Sequence, residues 1–215
     1  KLIDQIYLTA SGGPFLDKPL KKLKRVNIKQ AINHPNWKMG KKISVDSATM
    51  INKVFEIIEA KKIFRISYSK LSIIIHPKSY VHAIFKFKNG LTKIVVHDTS
   101  MKIPIFNSLY SSRKIINSKK LDFKVLNKLD FRNVNLTKFP LVRILKMLPN
   151  KTSLFETILV SVNDKLVELF LDQKIKFTDI SKKMNKMLSL YSLKKYKKVK
   201  PKNVEDIFTM NKKIK

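Results

Sequence analysis

The stretch YVHAIFKFKNGLTKIVVH, residues 80–97, has the pattern that decides the fold of this chain. Apolar and polar residues alternate on both sides of Asn89-Gly90, a dipeptide that favours the tight turn of a β-hairpin. Side chains alternate between the two faces of a strand. His82 is therefore on one face, and the other face carries four apolar side chains: Val81, Ala83, Phe85 and Phe87. The pattern predicts an antiparallel hairpin.

Two apolar runs outside the hairpin predict further strands. The run LSIIIHP, residues 71–77, predicts a buried strand. Ile6 to Leu8 predict the end of another strand, which leads into the glycine-rich turn SGGPF at residues 11–15. With the hairpin, these runs predict a mixed sheet in an α+β domain covering residues 1–110.

Residues 46–64 have the spacing of a helix. Asp46 or Ser47 is a suitable N-cap, because its side-chain oxygen can accept a hydrogen bond from a free N–H of the first turn. The apolar residues that follow define a packing side: Met50, Val54, Ile57, Ile58 and Phe64. We therefore expect one continuous helix.

The last third of the chain predicts helices only. Apolar residues recur at helical spacing from residue 154 to 170, and KFTDIS and KNVEDIF provide caps for two more helices. Residues 111–137 show no clear period and are expected to form a connector. The fold predicted for residues 138–215 is an all-α C-terminal helical bundle.

The charge of the chain is strongly positive, with 46 basic against 15 acidic residues and a net charge of +31. Such a charge is compatible with binding to nucleic acid or to an acidic partner. Lysine pairs occur along the whole chain, however, and no basic stripe is interleaved with stacking aromatics. A compositional bias is therefore the favoured explanation, and a basic binding protein stays the alternative.

The chain contains no cysteine, which excludes disulfides and thiolate metal sites and is compatible with a reducing compartment. Its apolar runs are shorter than the roughly 18 residues of a membrane span. We expect a cytoplasmic protein that does not bind membranes.

A phosphate site is predicted around the start of the helix at residues 46–64. Asn52, Lys53 and Glu56 share one helix face. Ser47 at a helix N-terminus, with the Ser11 hydroxyl and the backbone of SGGPF, would surround an anion with donors. Glu56, one turn deeper, is placed to hold a divalent metal or a substrate hydroxyl. The alternative is an ordinary surface helix with an i,i+3 Lys53–Glu56 pair.

The loop before this helix, HPNWKMG at residues 34–40, has an unusual amount of aromatic and sulfur surface. Trp37 and Met39 would by default be core residues, but His34, Gly40 and the lysines around them are too polar for easy burial. A lid that closes over a ligand is the better interpretation. No two histidines have the i,i+4 spacing of a helical zinc site, and each taken singly is more often structural.

Several motifs together resemble the 1-deoxy-D-xylulose 5-phosphate reductoisomerase family. They are LTASGGPF (8–15), HPNWKMGKKISVDSATMINK (34–53), EIIEA (56–60), IHPKSYVHA (75–83) and MKIPI (101–105), and the tail at 158–180 is similar to the family's C-terminal helical domain. The resemblance implies an enzyme that rearranges a ketose phosphate and reduces the product with NADPH. It also implies a divalent metal (Mg or Mn) and a homodimer. Nothing in the chain is similar to the family's dinucleotide-binding domain. We therefore expect the catalytic and C-terminal parts of a longer protein, inactive alone.

The resemblance also implies residue roles. Ser11, Ser47, Asn52 and Lys53 would bind the substrate phosphate, and Glu56 would bind substrate and metal. The flap residues would be His34, which also contacts substrate, and Trp37. The cofactor contacts would be Met39, Gly40 and Met101, and His82 would line the pocket. One departure from the family pattern is Ser-Val-Asn-Asp at 161–164, in a segment expected to pack, where the family has NAANE.

Overall fold

The computed structural model of the protein describes residues 2–110 and 114–214. They form two compact units. The sheet unit comprises Lys1–Gly12 and Ala60–Val134, and the helical unit comprises Gly13–Glu59 and Asn135–Lys215. This division differs from the linear one expected near residues 110 and 137, because Gly13–Glu59, which lies between the first and second strands in the chain, groups with Asn135–Lys215.

The strands of the described chain are β1 (Ile3–Ala10), β2 (Leu71–Ile75), β3 (Val81–Phe87) and β4 (Thr92–Val96). The α-helices are α1 (Ile28–Ile32), α2 (Lys41–Thr49), α3 (Ile51–Phe64), α4 (Lys102–Leu109), α5 (Phe123–Leu126), α6 (Leu154–Leu171), α7 (Phe177–Ser189), α8 (Tyr191–Lys194) and α9 (Val204–Ile214). Short 3-10 helices occur between them, the longest at Pro140–Met147. None of the helices within residues 2–110 and 114–214 has the length and apolar character needed to cross a membrane.

The mixed sheet predicted from the sequence is confirmed. Its strand order is β2-β1-β3-β4, with β1 parallel to β2 and antiparallel to β3. β3 and β4 form the predicted hairpin, and Gly90 in its turn has φ +87°, a backbone conformation that favours glycine. The register shifts between Val81 and Ala83, so the regular alternation expected for β3 is interrupted at His82. β4 is an edge strand.

The single helix predicted for residues 46–64 is two helices. Met50 adopts the left-handed conformation, with φ +64°, and separates α2 from α3. Asp46 and Ser47 thus lie in the last turn of α2, so the prediction that one of them is an N-cap is wrong. Phe64 is 66% exposed and does not belong to the packing side. A left-handed residue other than glycine can interrupt a helix while the apolar residues on both sides keep helical spacing. The apolar spacing therefore gave no sign of the break at Met50.

The helical tail is confirmed. α6 packs against α7 and α9 in the helical unit and carries the largest apolar set of the bundle. α7 begins at the KFTDIS motif, and α9 begins after Asn203, whose Oδ1 accepts a hydrogen bond of 3.0 Å from the Asp206 N–H. These are the helix starts that the two motifs predicted.

Part of the expected connector is structured. It contains α5, and Arg132 forms an antiparallel bridge with Ile75, the last residue of β2, in the sheet unit. The last residues of the expected connector, 135–137, belong to the helical unit. Residues 111–113 lie outside the described part of the chain.

A close backbone contact fixes the last turn of α2 in the helical unit. Gly13 has φ +65°, and a Cβ atom there would lie 2.7 Å from the Ser47 carbonyl oxygen and 3.1 Å from the Ala48 Cα. Only a residue without a side chain permits this approach. Gly40, at the other end of α2, has open space around it, and a Cβ atom there would meet no other group within 4 Å.

We expect Gly13→Ala to lower the free energy of unfolding by at least about 1–2 kcal/mol, the cost of a left-handed L-residue, with the clash against backbone added. Gly40→Ala is the matched control, with an expected change within about 0.5 kcal/mol. Urea denaturation of the 215-residue chain measures both. Equal effects of the two substitutions would contradict the close contact.

Candidate functional site

Three of the predicted site residues meet on the first turns of α3. Asn52 Nδ2 donates a hydrogen bond of 2.8 Å to Glu56 Oε1, and Lys53 Nζ donates one of 2.6 Å to Glu56 Oε2. The Lys53 side chain is 16% exposed and that of Glu56 is 36% exposed. The shared helix face predicted from the spacing is therefore present.

The i,i+3 Lys53–Glu56 pair of the alternative interpretation is also present. The partial burial of Lys53 nevertheless distinguishes it from an ordinary pair on a solvated face, where such contacts contribute little. Both Glu56 oxygens have a donor, so the three side chains neutralise and orient one another. A phosphate would compete with Glu56 for Lys53, and a metal ion would compete with Asn52 and Lys53 for Glu56.

Ser47 contributes in a different way from the one predicted. It lies in the last turn of α2, where its carbonyl accepts a hydrogen bond of 3.1 Å from the Met50 N–H. It therefore has no free helix-start N–H groups to offer an anion. Its half-buried hydroxyl makes no hydrogen bond to another described residue. The side chain remains a candidate donor to a ligand, and the predicted helix-dipole site at Ser47 is wrong.

The loop at residues 34–40 is organised by His34. This side chain is 9% exposed, and its Nδ1 accepts hydrogen bonds of 3.1 Å from the N–H groups of Asn36 and Trp37. Because Nδ1 accepts, the proton of the neutral ring is on Nε2. Burial lowers the pKa of His34, so this neutral form is favoured. His34 thus shapes the loop, a role for which its spacing contained no signal.

The other loop residues are less enclosed. Trp37 and Met39 are half-buried, and Gly40 is exposed at the start of α2. The Gly40 carbonyl accepts hydrogen bonds from the Ser44 N–H and hydroxyl at 3.1 Å and 3.0 Å. Partial exposure of two large apolar side chains in a polar loop is compatible with the lid expected from the sequence.

The remaining predicted residues belong to the sheet unit. Ser11 follows β1, and Met101 precedes α4 and is 53% exposed. His82 is stacked on His97, with ring centroids 3.5 Å apart and an interplanar angle of 5°. His97 is therefore a neighbour of a candidate residue that the sequence pattern did not single out. His76 is buried, and its Nδ1 lies 2.9 Å from the Asp130 carbonyl oxygen, as in a structural histidine.

A second polar cluster surrounds Asp46, the residue directly before Ser47, in the helical unit. Asp46 is 1% exposed and contacts Lys42 of the same helix and Asn163 of α6. The sequence pattern indicated only a capping role for Asp46 and only packing for Asn163. A contact across 117 residues leaves no local signal.

Within the described residues, no three acidic, histidine or cysteine side chains are grouped so that they could hold a metal ion. Glu56 is the carboxylate of the α3 cluster. It can provide one ligand position, whereas Mg²⁺ needs about six oxygen ligands. These residues therefore do not by themselves form a complete site for a hard divalent ion.

Two family models match the chain. A 1-deoxy-D-xylulose 5-phosphate reductoisomerase C-terminal domain matches residues 1–64, and a DXP reductoisomerase C-terminal domain matches residues 97–215. The second match alone covers more than half of the 215 residues. These matches give no support to the nucleic-acid-binding alternative.

Curated relatives have the same name. The 1-deoxy-D-xylulose 5-phosphate reductoisomerase of Pelagibacter ubique is 56% identical over 209 residues, which are 97% of this chain and 54% of that protein. The corresponding protein of a Sulfurihydrogenibium strain is 39% identical over the same shares. The chain spans about half the length of the curated relatives it matches.

Solved structures agree with the sequence relatives. A DOX-P reductoisomerase in complex with NADPH, fosmidomycin and magnesium has a TM-score of 0.90 at 35% identity, over 99% of this chain and 53% of that one. The Zymomonas mobilis reductoisomerase in complex with NADPH has a TM-score of 0.83 at 31% identity, over 99% of this chain and 54% of that one. The likeness thus covers nearly all of this chain and about half of each solved protein.

We expect His34 to make the stability of the protein depend on pH. Its pKa is lower in the folded chain than the ordinary 6.5, so the unfolded chain binds more protons as the pH falls below 6.5, and folding becomes less favourable. Each unit of difference between the two pKa values corresponds to about 1.4 kcal/mol.

The measurement is the free energy of unfolding from pH 7.5 to pH 5.5 in the original chain and in His34→Asn. Asn Oδ1 can also accept loop N–H groups but does not titrate in this range. The variant should lose part of the decline seen below pH 6.5. An identical decline in both proteins would show that His34 is not its source.

Proposed function

Since the chain belongs to the 1-deoxy-D-xylulose 5-phosphate reductoisomerase family, we propose that it provides the substrate-binding part and one metal ligand of an NADPH-dependent enzyme. The reaction would convert 1-deoxy-D-xylulose 5-phosphate to 2-C-methyl-D-erythritol 4-phosphate in isoprenoid biosynthesis. The observation that carries the proposal is the Asn52–Lys53–Glu56 cluster on α3, in a chain 56% identical to a relative with this name.

Lys53 and Asn52 are the proposed phosphate ligands. Lys53 is a cation whose partial burial reduces competition from water, and Asn52 adds a neutral donor one residue earlier. When a phosphate displaces Glu56 from Lys53, the carboxylate becomes available for another ligand. Substrate binding would thereby prepare Glu56 for its second role. Ser47, whose hydroxyl makes no hydrogen bond to another residue that the structure describes, is a third proposed donor.

Glu56 is the proposed metal ligand contributed by α3. A bound Mg²⁺ or Mn²⁺ would act as a Lewis acid that polarises the substrate carbonyl. The solved DOX-P reductoisomerase in complex with magnesium supports a divalent ion. The described residues provide one carboxylate at this place, so further ligands must come from substrate, water or residues outside the described ranges.

The loop at 34–40 is the proposed lid. Trp37 and Met39 would cover the substrate with apolar surface and exclude water, while His34 keeps the loop backbone in place. Met39 and Gly40 are proposed to contact the nicotinamide, because Gly40 is exposed and has open space around its Cα. Ser11, His82 and Met101 stay predictions from the resemblance.

A homodimer is proposed from the sheet unit. β4 is an edge strand with exposed apolar side chains, Ile94 at 46% and Val95 at 44%, and Leu91 just before it is 58% exposed. Exposed apolar edges favour pairing with another chain. A second copy of the sheet unit would cover this edge. The cytoplasmic location stays a prediction.

The proposed activity can be tested in a chimaera, in which this chain takes the place of the matching part of a relative. The 215-residue chain replaces the matching 54% of the Pelagibacter ubique protein, and NADPH oxidation is followed with 1-deoxy-D-xylulose 5-phosphate and Mn²⁺. We expect turnover by the chimaera. A folded chimaera without turnover, where the unaltered relative is active, would contradict the proposed function.

In the active chimaera, Ser47→Ala and Asn52→Ala should each weaken substrate binding, because a hydrogen bond to a charged group contributes about 1.5–3 kcal/mol. This corresponds to a rise in KM of about tenfold or more. Ser189→Ala, at an exposed hydroxyl on α7, is the control and should leave KM unchanged. Unchanged KM in the first two variants would reject the phosphate assignment.

The 215-residue chain alone should bind Mn²⁺ only weakly, with millimolar affinity at best, because Glu56 is a single carboxylate and hard cations need several oxygen ligands. It should not oxidise NADPH with substrate. Calorimetric titration of the chain and of Glu56→Gln measures the metal affinity. Micromolar binding that Glu56→Gln abolishes would mean that the chain completes the site by itself.

A further inference from the structure

A buried carboxylate connects α2 to α6 within the helical unit. Asp46 Oδ1 accepts a hydrogen bond of 2.8 Å from Asn163 Nδ2, and Asp46 Oδ2 lies 2.8 Å from Lys42 Nζ. Lys42 Nζ also lies 3.1 Å from Asp164 Oδ1. We call this group of four residues, Lys42, Asp46, Asn163 and Asp164, the Asp46 cross-link.

The Asp46 cross-link is a costly way to hold two helices together. Asp46 is 1% exposed, and burial raises the pKa of its carboxyl, an effect that the hydrogen bonds from Asn163 and Lys42 offset only in part. Asn163 Oδ1 is buried and has no hydrogen-bond partner among the described residues. Apolar residues of similar volume would often join two helices at least as stably. Stability alone therefore does not explain this arrangement.

The cross-link does determine the orientation of α2. A leucine or valine contact tolerates small rotations of a helix. Two polar contacts join α2 to α6 here, Asn163 Nδ2 to Asp46 Oδ1 at 2.8 Å and Lys42 Nζ to Asp164 Oδ1 at 3.1 Å, and together they restrict such rotations. The Lys42–Asp46 pair lies within α2 and holds the Asp46 carboxylate in place. The N-terminal end of α2 receives the 34–40 loop at Gly40. Its C-terminal end carries Ser47, packed against Gly13, and continues through left-handed Met50 into α3.

We propose that the Asp46 cross-link is a positioning device that fixes α2, and through it both the Trp37 loop and the Ser47 hydroxyl. Asp46 and Asn163 are positioning residues and not catalytic ones, since each acts through another side chain. The effect on loop order is independent of the enzyme reaction. The effect on substrate binding rests on the proposed function.

Trp37 reports on the loop directly, because it is the single tryptophan of the chain. The first variant is Asn163→Asp, which places two carboxylates face to face and breaks the connection. The double variant Asp46→Asn with Asn163→Asp restores one amide-to-carboxylate hydrogen bond with the partners exchanged. Acrylamide quenching of Trp37 in the 215-residue chain measures how well the loop is held.

Asn211→Ala is the matched control. It removes the Asn211 Nδ2 to Ser161 Oγ hydrogen bond of 2.9 Å, which connects α9 to the same helix, α6, without contacting α2. A purely structural role of the Asp46 cross-link predicts that both single variants loosen the protein in similar ways. A positioning role predicts that only Asn163→Asp changes Trp37.

We expect Asn163→Asp to raise the Trp37 quenching constant about twofold or more, Asn211→Ala to leave it unchanged, and the exchanged pair to return it to the original value. In the active chimaera, Asn163→Asp should lower kcat/KM by about tenfold to a hundredfold, as misplaced site residues do. The exchanged pair should recover most of that loss. If Asn163→Asp does not fold, Asn163→Ala removes the donor without adding charge and takes its place.

Equal quenching in Asn163→Asp and the original chain, or an exchanged pair that recovers nothing, would overturn the positioning role. An inactive chimaera combined with the expected Trp37 results would contradict the proposed function and leave the positioning of the loop established. Normal quenching combined with a reduced kcat/KM would show that the cross-link acts on the reaction in some way other than through α2, and would also reject the proposal.

Discussion

The hydrogen bond between Asp46 and Asn163 is the interaction on which the candidate site of the helical unit depends. It joins residues 117 positions apart and fixes α2, the helix that follows the Trp37 loop and carries Ser47. The contact of Gly13 with the Ser47 carbonyl limits movement at the same end of α2. With both contacts in place, α2 has little freedom to rotate, and the start of α3 follows from it through a single residue, Met50.

The electrostatics of the candidate site depend on local charge pairs and not on the net charge of the chain. The chain carries +31 charges, but the α3 cluster is balanced, because Glu56 pairs with Lys53 at 2.6 Å. A ligand at the proposed site would therefore meet side chains that are already oriented, and it would replace one of their partners. At the proposed site, the half-buried position of Lys53 would make this exchange more selective for an anion than the many exposed lysines can be.

Much of the fold could be predicted from the sequence. The hairpin, the strand at residues 71–75 and the helical tail follow from local periods and from turn and cap residues such as Gly90 and Asn203. The burial predicted for that strand holds only for Leu71 and Ile75, because β2 lies at the edge of the sheet. The shared face of Asn52, Lys53 and Glu56 follows from helix geometry alone. The helix at residues 46–64 was mispredicted, because the left-handed Met50 leaves the apolar spacing intact. The failed prediction rested on apolar spacing, which reflects only residues within a few positions of one another.

The sequence by itself determined the classes of its elements, the family resemblance and the residue types of the α3 cluster, because these depend on neighbours within a few positions. Only the tertiary structure decided that Ser47 lies in the last turn of a helix, that His34 Nδ1 holds the loop backbone, that His82 stacks on His97 and that Asp46 is bound by Asn163. The cross-link joins segments far apart in the chain, and such a contact depends on packing, which leaves no period in the sequence. The stacked histidines lie in the predicted hairpin, but their contact occurs at the register shift between Val81 and Ala83, which the alternating pattern did not indicate. The αL turn at Met50 and the His34 hydrogen bonds are local, yet they depend on backbone angles that residue type alone does not fix.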